Sequence, residues 1–143
     1  MIVLDTNILV AALWSRTGAS YRLIEMALRG ELTISVSVAL ALEYEDVLKR
    51  AKMREASWAS DVDLDVFLDA LLSVAQRIAP ITQRLRPILR DADDDMVLEC
   101  AIQSSSRAIV TMNIKDFAGV EKRFGISILQ PGQFLKDHIG ARL

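Results

Sequence analysis

Met1-Ile2-Val3-Leu4-Asp5-Thr6-Asn7 opens the chain and decides how the rest is read. Met1 to Leu4 is a short apolar run with the length and composition of a buried strand. Asp5 puts a carboxylate where that strand ends. Thr6-Asn7 reads as a polar turn before the apolar stretch Ile8 to Trp14. In an open α/β sheet, ligands bind in the crevice outside the carboxyl ends of the strands. A lone Asp there is an ordinary turn or N-cap residue. Three further acids that the same architecture brings to the same rim change its meaning.

Outward from that strand, helical periodicity runs over Ile8 to Leu13 and Ser20 to Leu28, with Gly30 as a stop. Leu32 to Val36 is β-rich, and Ser37 is placed to cap a helix over Val38 to Ala51. Asp61 to Gln76 is amphipathic, with Val62, Val66, Leu68, Leu71, Leu72 and Ala75 expected on its inner side. Arg77 to Ile81 reads as a short strand ended by Pro80, and Thr82 to Arg90 as a loop. A helix over Asp93 to Ser105 follows, then strands at Arg107 to Thr111 and Ile126 to Leu129, with Phe117 in a turn between them. Pro131 opens a short terminal helix. Strands alternating with helices predict one α/β domain over residues 1–143, a three-layer α/β/α sandwich around a mainly parallel sheet.

The second acid, Glu43, lies inside the third helix, three residues from Leu40 and four from Val47, on or beside the packed face. A charge there is costly unless something compensates it. The third lies in the run Asp91-Ala92-Asp93-Asp94-Asp95. One acid suffices to cap a helix, so the surplus is informative. Helix phasing aligns Asp94 with Val97, Leu98 and Ala101, and leaves Asp95, about 100° around the helix, as a second acid of the same turn. The fourth, Asp116, follows the strand that ends at Thr111, beside Asn113. Carboxylates gathered at one rim repel by several kcal/mol at low effective dielectric, about 4 kcal/mol per close pair, and so imply a cation between them. Oxygen ligands without His or Cys select Mg²⁺ or Mn²⁺ over zinc, which fits metal-assisted phosphoryl hydrolysis.

Composition narrows the alternatives. The formal net charge is −2, against a passive nucleic-acid coat, which depends on a basic excess. Arg84, Arg86 and Arg90 nevertheless crowd one stretch just before the acidic run, where a basic rim could meet substrate phosphates. The single cysteine, Cys100, excludes an internal disulfide and points to a reducing compartment. No secretory signal and no apolar run near the ~18 residues of a membrane span are evident, so a soluble cytoplasmic protein is expected. His138, the one histidine, reads as a surface residue. Trp14 and Trp58 read as packing or interface anchors.

The opening Ile2 to Val10, Ser37 with Leu42-Glu43-Tyr44-Glu45-Asp46-Val47-Leu48, Asp91 to Ala101, Ile109-Val110-Thr111-Met112-Asn113-Ile114-Lys115-Asp116-Phe117 and Ile128 to Leu135 occur in an order that resembles the PIN domain. That is the nuclease fold of many bacterial and archaeal toxin–antitoxin systems, the VapC-like toxins among them. The resemblance implies a Mg²⁺- or Mn²⁺-dependent ribonuclease with Asp5, Glu43, Asp94 and Asp116 as metal-coordinating carboxylates. Asn7 and Thr111 would orient ligands or water, with Asn113 and Asp95 as further supporting residues. It also implies a small antitoxin that covers the site, and a homodimer. Many members carry Thr-Gly-Asp where this chain reads Thr111-Met112-Asn113, so the fourth acid is displaced to Asp116.

Two other readings compete. A PIN-fold module that binds without cutting is one, and it would have lost acids that this chain keeps. Another Mg²⁺-dependent phosphoryl-transfer protein with a strand-end Asp is the other. Such proteins commonly carry a second Asp two residues on, where this chain has Asn7.

Overall fold

The computed structural model describes residues 1–50, 57–79 and 88–142. β1 (Ile2–Leu4) is completely buried and pairs in parallel with β4 (Ala108–Val110), which pairs in parallel with β5 (Ser127–Leu129). On the other side of β1, a parallel bridge joins Ile2 to Ile34, with the Ile2 N–H donating to the Thr33 carbonyl at 3.1 Å. That bridge leads into β2 (Ser35–Val36), which pairs in parallel with β3 (Gln76–Arg77). The strand order is therefore β3-β2-β1-β4-β5, every neighbour parallel. The chain builds outward from β1 to one side and then returns to build on the other. The order reverses between β1 and β4, and a crevice opens outside their carboxyl ends.

Helices cover the sheet as the α/β reading expects. α1 (Thr6–Trp14) packs on α2 (Ala19–Leu28) and α3 (Val38–Leu48). α4 (Asp61–Val74) lies against α2 and α3. α5 (Ala92–Gln103) lies on β1, β2 and β4, and α7 (Pro131–Arg142) docks on α2. A 3-10 turn (Ile114–Phe117) and the short α6 (Val120–Phe124) join β4 to β5. Among the described residues no helix is long and apolar enough to cross a membrane.

Several boundaries differ from the sequence reading, each for a local reason. Thr6 and Asn7 are not a turn before the first helix but its first residues. The Asp5 carboxylate accepts the Thr6 N–H at 2.8 Å and starts the helix directly from the strand. Ser37 caps α3 as expected, accepting the Leu40 N–H at 3.1 Å. β3 falls at Gln76–Arg77, earlier than the expected Arg77 to Ile81, of which Pro80 and Ile81 lie outside the described residues. In α4 the buried row is Leu64, Leu68 and Leu71, whereas Val62 and Val66 are 70% and 62% exposed. Leu68 and Leu71 were expected on the inner side and are there; apolar residues occupy two faces of that helix, so periodicity also took in Val62 and Val66. α6 was not expected at all; it is a single turn set between Gly119 and Gly125, both in the left-handed region.

One polar contact fixes where β1 stops. Tyr44 of α3 is fully buried and donates its hydroxyl to the Leu4 carbonyl. Tyr44→Phe removes the donor without opening a cavity. We expect a loss of about 1–3 kcal/mol in urea unfolding, because a buried carbonyl is left with one partner fewer. An unchanged midpoint would show that the contact holds nothing.

Candidate acidic site at the sheet switch point

Asp5 and Thr111 stand on neighbouring strand ends, and backbone bonds carry the ladder past both. The Asp5 N–H donates to the Val110 carbonyl at 2.9 Å, and the Thr111 N–H to the Leu129 carbonyl at 2.9 Å. Their side chains then meet. The Thr111 hydroxyl, 0% exposed, donates to Asp5 Oδ2 at 2.8 Å. It accepts from Asn7 Nδ2 at 3.3 Å and from the Asn113 N–H at 3.1 Å. Asn7 Oδ1 in turn accepts the Met112 N–H at 3.1 Å. A hydroxyl has one proton and two lone pairs, so Thr111 is saturated and cannot rotate without breaking three bonds. Asp5, Asn7, Thr111 and Asn113, all marked by the sequence, thus form one network.

Asp94 and Asp116 both line a cleft of about 630 Å³ that also takes in Arg90, Asp91, Asn113 and Lys115. Burial pushes the Asp94 carboxyl up to about 7, helped by the charges of Asp5, Asp116, Asp91 and Asp93. Asp5 is raised as well, by burial first; its bonds from Thr111 and Thr6 pull the other way, and Asp116 and Asp91 add to the rise. Glu43, half-buried on α3, is raised by burial and then by Asp93, with Asp46 and Asp5 adding and Arg50 opposing. The charge of Asp116 thus acts on Asp5 and Asp94, and that of Asp5 on Asp94 and Glu43. None of them is in a salt bridge among the described residues, where the ion pairs are Arg29–Glu25, Lys49–Glu45 and Arg50–Asp46 on exposed helix faces. In this arrangement, no three acidic side chains of the described residues stand close enough to grip one ion.

Asp95 does something other than join the cleft. It is 2% exposed and turns back to accept the N–H groups of Leu89 at 2.9 Å and Ile88 at 3.4 Å. It ties the wall of the cleft to the helix that carries Asp94, which separates the roles of the two neighbouring acids. Arg90 is on the rim, while Arg84 and Arg86 lie outside the described residues. Sequence reasoning missed Asp91 and Lys115 as cleft residues. Asp91 was visible only as part of an acidic run, where it caps α5 by accepting the Asp93 N–H at 2.9 Å. Lys115 gave no signal beyond its place beside Asp116. Trp58 packs inward, its Nε1 donating to the Ala12 carbonyl at 3.2 Å and its ring edge-on to Tyr21, while Trp14 is more than half exposed.

A family model described as PIN domain matches residues 1–115. The chain belongs to the PIN domain family. Members of that family are generally metal-dependent nucleases, so hydrolysis is the kind of chemistry the site belongs to. Among solved structures, the chain is similar to a chain of VapBC2 from Rickettsia felis, a structure described as bound to a DNA fragment from their promoter. The TM-score is 0.56 at 20% identity, over 90% of this chain and 97% of that one. At that identity the likeness speaks for the PIN fold. No curated protein sequence matches the chain. The family match covers Asp5, Glu43 and Asp94 and stops one residue before Asp116. In donor chemistry the PIN site fits a hard divalent ion, since it offers carboxylate oxygens that carry unbalanced charge.

The raised proton affinities fix a sign for stability. A carboxyl whose proton is held more tightly in the folded chain than its ordinary value near 3.8 destabilises the fold once ionised. The penalty is absent below about pH 4, grows between about pH 4 and 7, where the unfolded chain ionises before the folded one, and is constant above that. In metal-free buffer, Asp94→Asn should therefore raise the melting temperature at about pH 8, with the gain vanishing near pH 4. A variant less stable than wild type at the higher pH would contradict the assigned repulsion.

Proposed function

We propose that this chain is a Mg²⁺- or Mn²⁺-dependent endoribonuclease that hydrolyses RNA phosphodiester bonds, with Asp5, Glu43, Asp94 and Asp116 as its acidic centre. The observation that carries the reading is that Asp5, Glu43 and Asp94 are all raised by burial and by neighbouring acids, with none of the four acids salt-bridged among the described residues. A divalent ion bound there would let these acids ionise together, polarise the scissile phosphate and lower the pKa of the attacking water.

The chain's own residues supply the rest. Thr6 and Thr111 hold the Asp5 carboxylate in one orientation, and Asn7 locks Thr111 to the loop after β4. Asp95 fixes the backbone at Ile88 and Leu89, and so the wall facing Asp116. Arg90 offers the substrate a positive charge at the rim. We further propose that the whole of residues 1–143 works as one nuclease unit in the cytoplasm, as the toxin of a toxin–antitoxin pair. A small antitoxin would then cover the acidic cleft, and a second copy of the chain would complete a homodimer. The similarity to the VapBC2 complex supports the antitoxin partner.

One observation favours a second reading, a PIN domain that binds RNA without cutting it. The acidic side chains of the described residues are not gathered into a ready three-ligand group. The deciding experiment incubates purified protein with a mixed single-stranded RNA pool in Mg²⁺, in Mn²⁺ and in EDTA, beside Asp5→Asn. Cleavage with either metal, absent in EDTA and reduced to background in the variant, is expected. Folded protein that retains the pool and cuts it under no metal would decide for the second reading.

A further inference from the structure

The acidic cleft does not end at its acids. A second hollow of about 210 Å³ adjoins it and shares Ile88, Leu89 and Ala118 with it as walls. The second hollow is finished by Val120, Arg123 and Phe124 of α6. The carboxylates and the exposed Lys115 line one hollow, a half-buried aromatic ring with a guanidinium over it lines the other, and an apolar wall is common to both. Arg123 Cζ lies 5.0 Å from the Phe124 ring centroid. Neither Lys115 nor Arg123 is in a salt bridge among the described residues, although Asp116 is the next residue to Lys115. The family match ends at residue 115, so Arg123 and Phe124 lie beyond it.

Single-stranded nucleic acid is held by this combination of features. Cationic side chains track the phosphates, and bases stack on aromatic rings and guanidinium planes. Apolar residues with a nearby charge also arise from packing alone, and Phe124 does pack partly on the core. Packing does not account for a second hollow that shares its wall with the acidic cleft, nor for an unbridged cation lining each of them. We infer that Lys115, Arg123 and Phe124 form a nucleotide-binding subsite for single-stranded RNA. Lys115 and Arg123 would contact phosphates flanking the scissile one, and Phe124 with Arg123 would receive an unstacked base. The inference rests on the ribonuclease reading above and adds to it the residues that hold the strand in place.

The test measures fluorescence anisotropy of a short labelled 2′-O-methyl RNA of mixed sequence, in EDTA, over a range of salt concentrations. Wild type is compared with Lys115→Gln, Arg123→Gln, Arg123→Lys, Phe124→Leu and Asp5→Asn. Lys115→Gln and Arg123→Gln should each weaken binding and flatten the log–log salt slope by about 0.7, the value for one phosphate contact on a single strand. Arg123→Lys should restore that slope. Phe124→Leu should weaken binding on the order of tenfold with the slope unchanged, which a loss of packing alone does not produce in protein shown folded by circular dichroism. Asp5→Asn should bind at least as tightly as wild type. If Lys115→Gln and Arg123→Gln, both at exposed positions, bind with wild-type affinity and slope while wild type cuts the RNA pool, the subsite is wrong and the nuclease stands. If wild type neither binds the probe nor cuts the pool, the ribonuclease reading and the subsite fall together.

Discussion

The hydrogen bond from Thr111 to Asp5 joins the two halves of the sheet at the point where the site has to be built. β1 and β4 are the strands between which the order reverses, so the residues after them come from opposite windings of the chain. Backbone bonds bring those residues level, and the Thr111 hydroxyl then fixes one carboxylate among acids that repel it. Because that hydroxyl also accepts from Asn7 and from the Asn113 N–H, the loop carrying Asp116 takes its start from the same atom. A loose Asp5 would turn toward water and away from its like-charged neighbours.

The distribution of charge follows two different rules on the two parts of the surface. On exposed faces of α2 and α3, Glu25, Glu45 and Asp46 are paired with cations one turn away, contacts that are individually weak and screened by salt. At the crevice the acids are left facing one another, partly desolvated, at a cost to the fold in the absence of a cation. Natural chains accept local conflict of this kind at functional sites and make up the stability elsewhere. Here the compensation is structural. Fully buried β1, the Tyr44 contact beneath it and the saturated Thr111 network hold the framework while the carboxylates oppose one another.

Much of this was legible in the sequence because it depends on periodicity and on strand ends. The buried run Ile2 to Leu4 and the alternation of strands with helices led to the parallel sheet, and the acid after β1 led to the crevice. Phasing along α5 separated Asp94 from Asp95, and the structure sends the latter back onto the Ile88 and Leu89 backbone. What escaped was set by tertiary context. Val62 and Val66 fit a helical stripe as well as Leu64 and Leu68 do, and only the neighbours of α4 decide which stripe is covered. Lys115 and Arg123 follow no pattern; a short turn and α6 place them on two hollows that share a wall. Thr6 and Asn7 read as a turn because an Asp at a strand end serves equally as a turn residue or an N-cap, and only the fold decides that Asp5 starts a helix at once.

If Thr111 holds Asp5 ready for a divalent ion, calorimetric titration of metal-free protein with Mn²⁺ will register its loss. Wild type should be compared with Thr111→Val, which keeps the shape and loses the hydroxyl, and with Thr111→Ser, which keeps the hydroxyl. Wild type should bind, Thr111→Val should bind about 10–100-fold more weakly, as for other losses of a supporting hydrogen bond, and Thr111→Ser should recover the affinity. Equal Mn²⁺ affinity in wild type and Thr111→Val, or no binding by folded wild type, would contradict it.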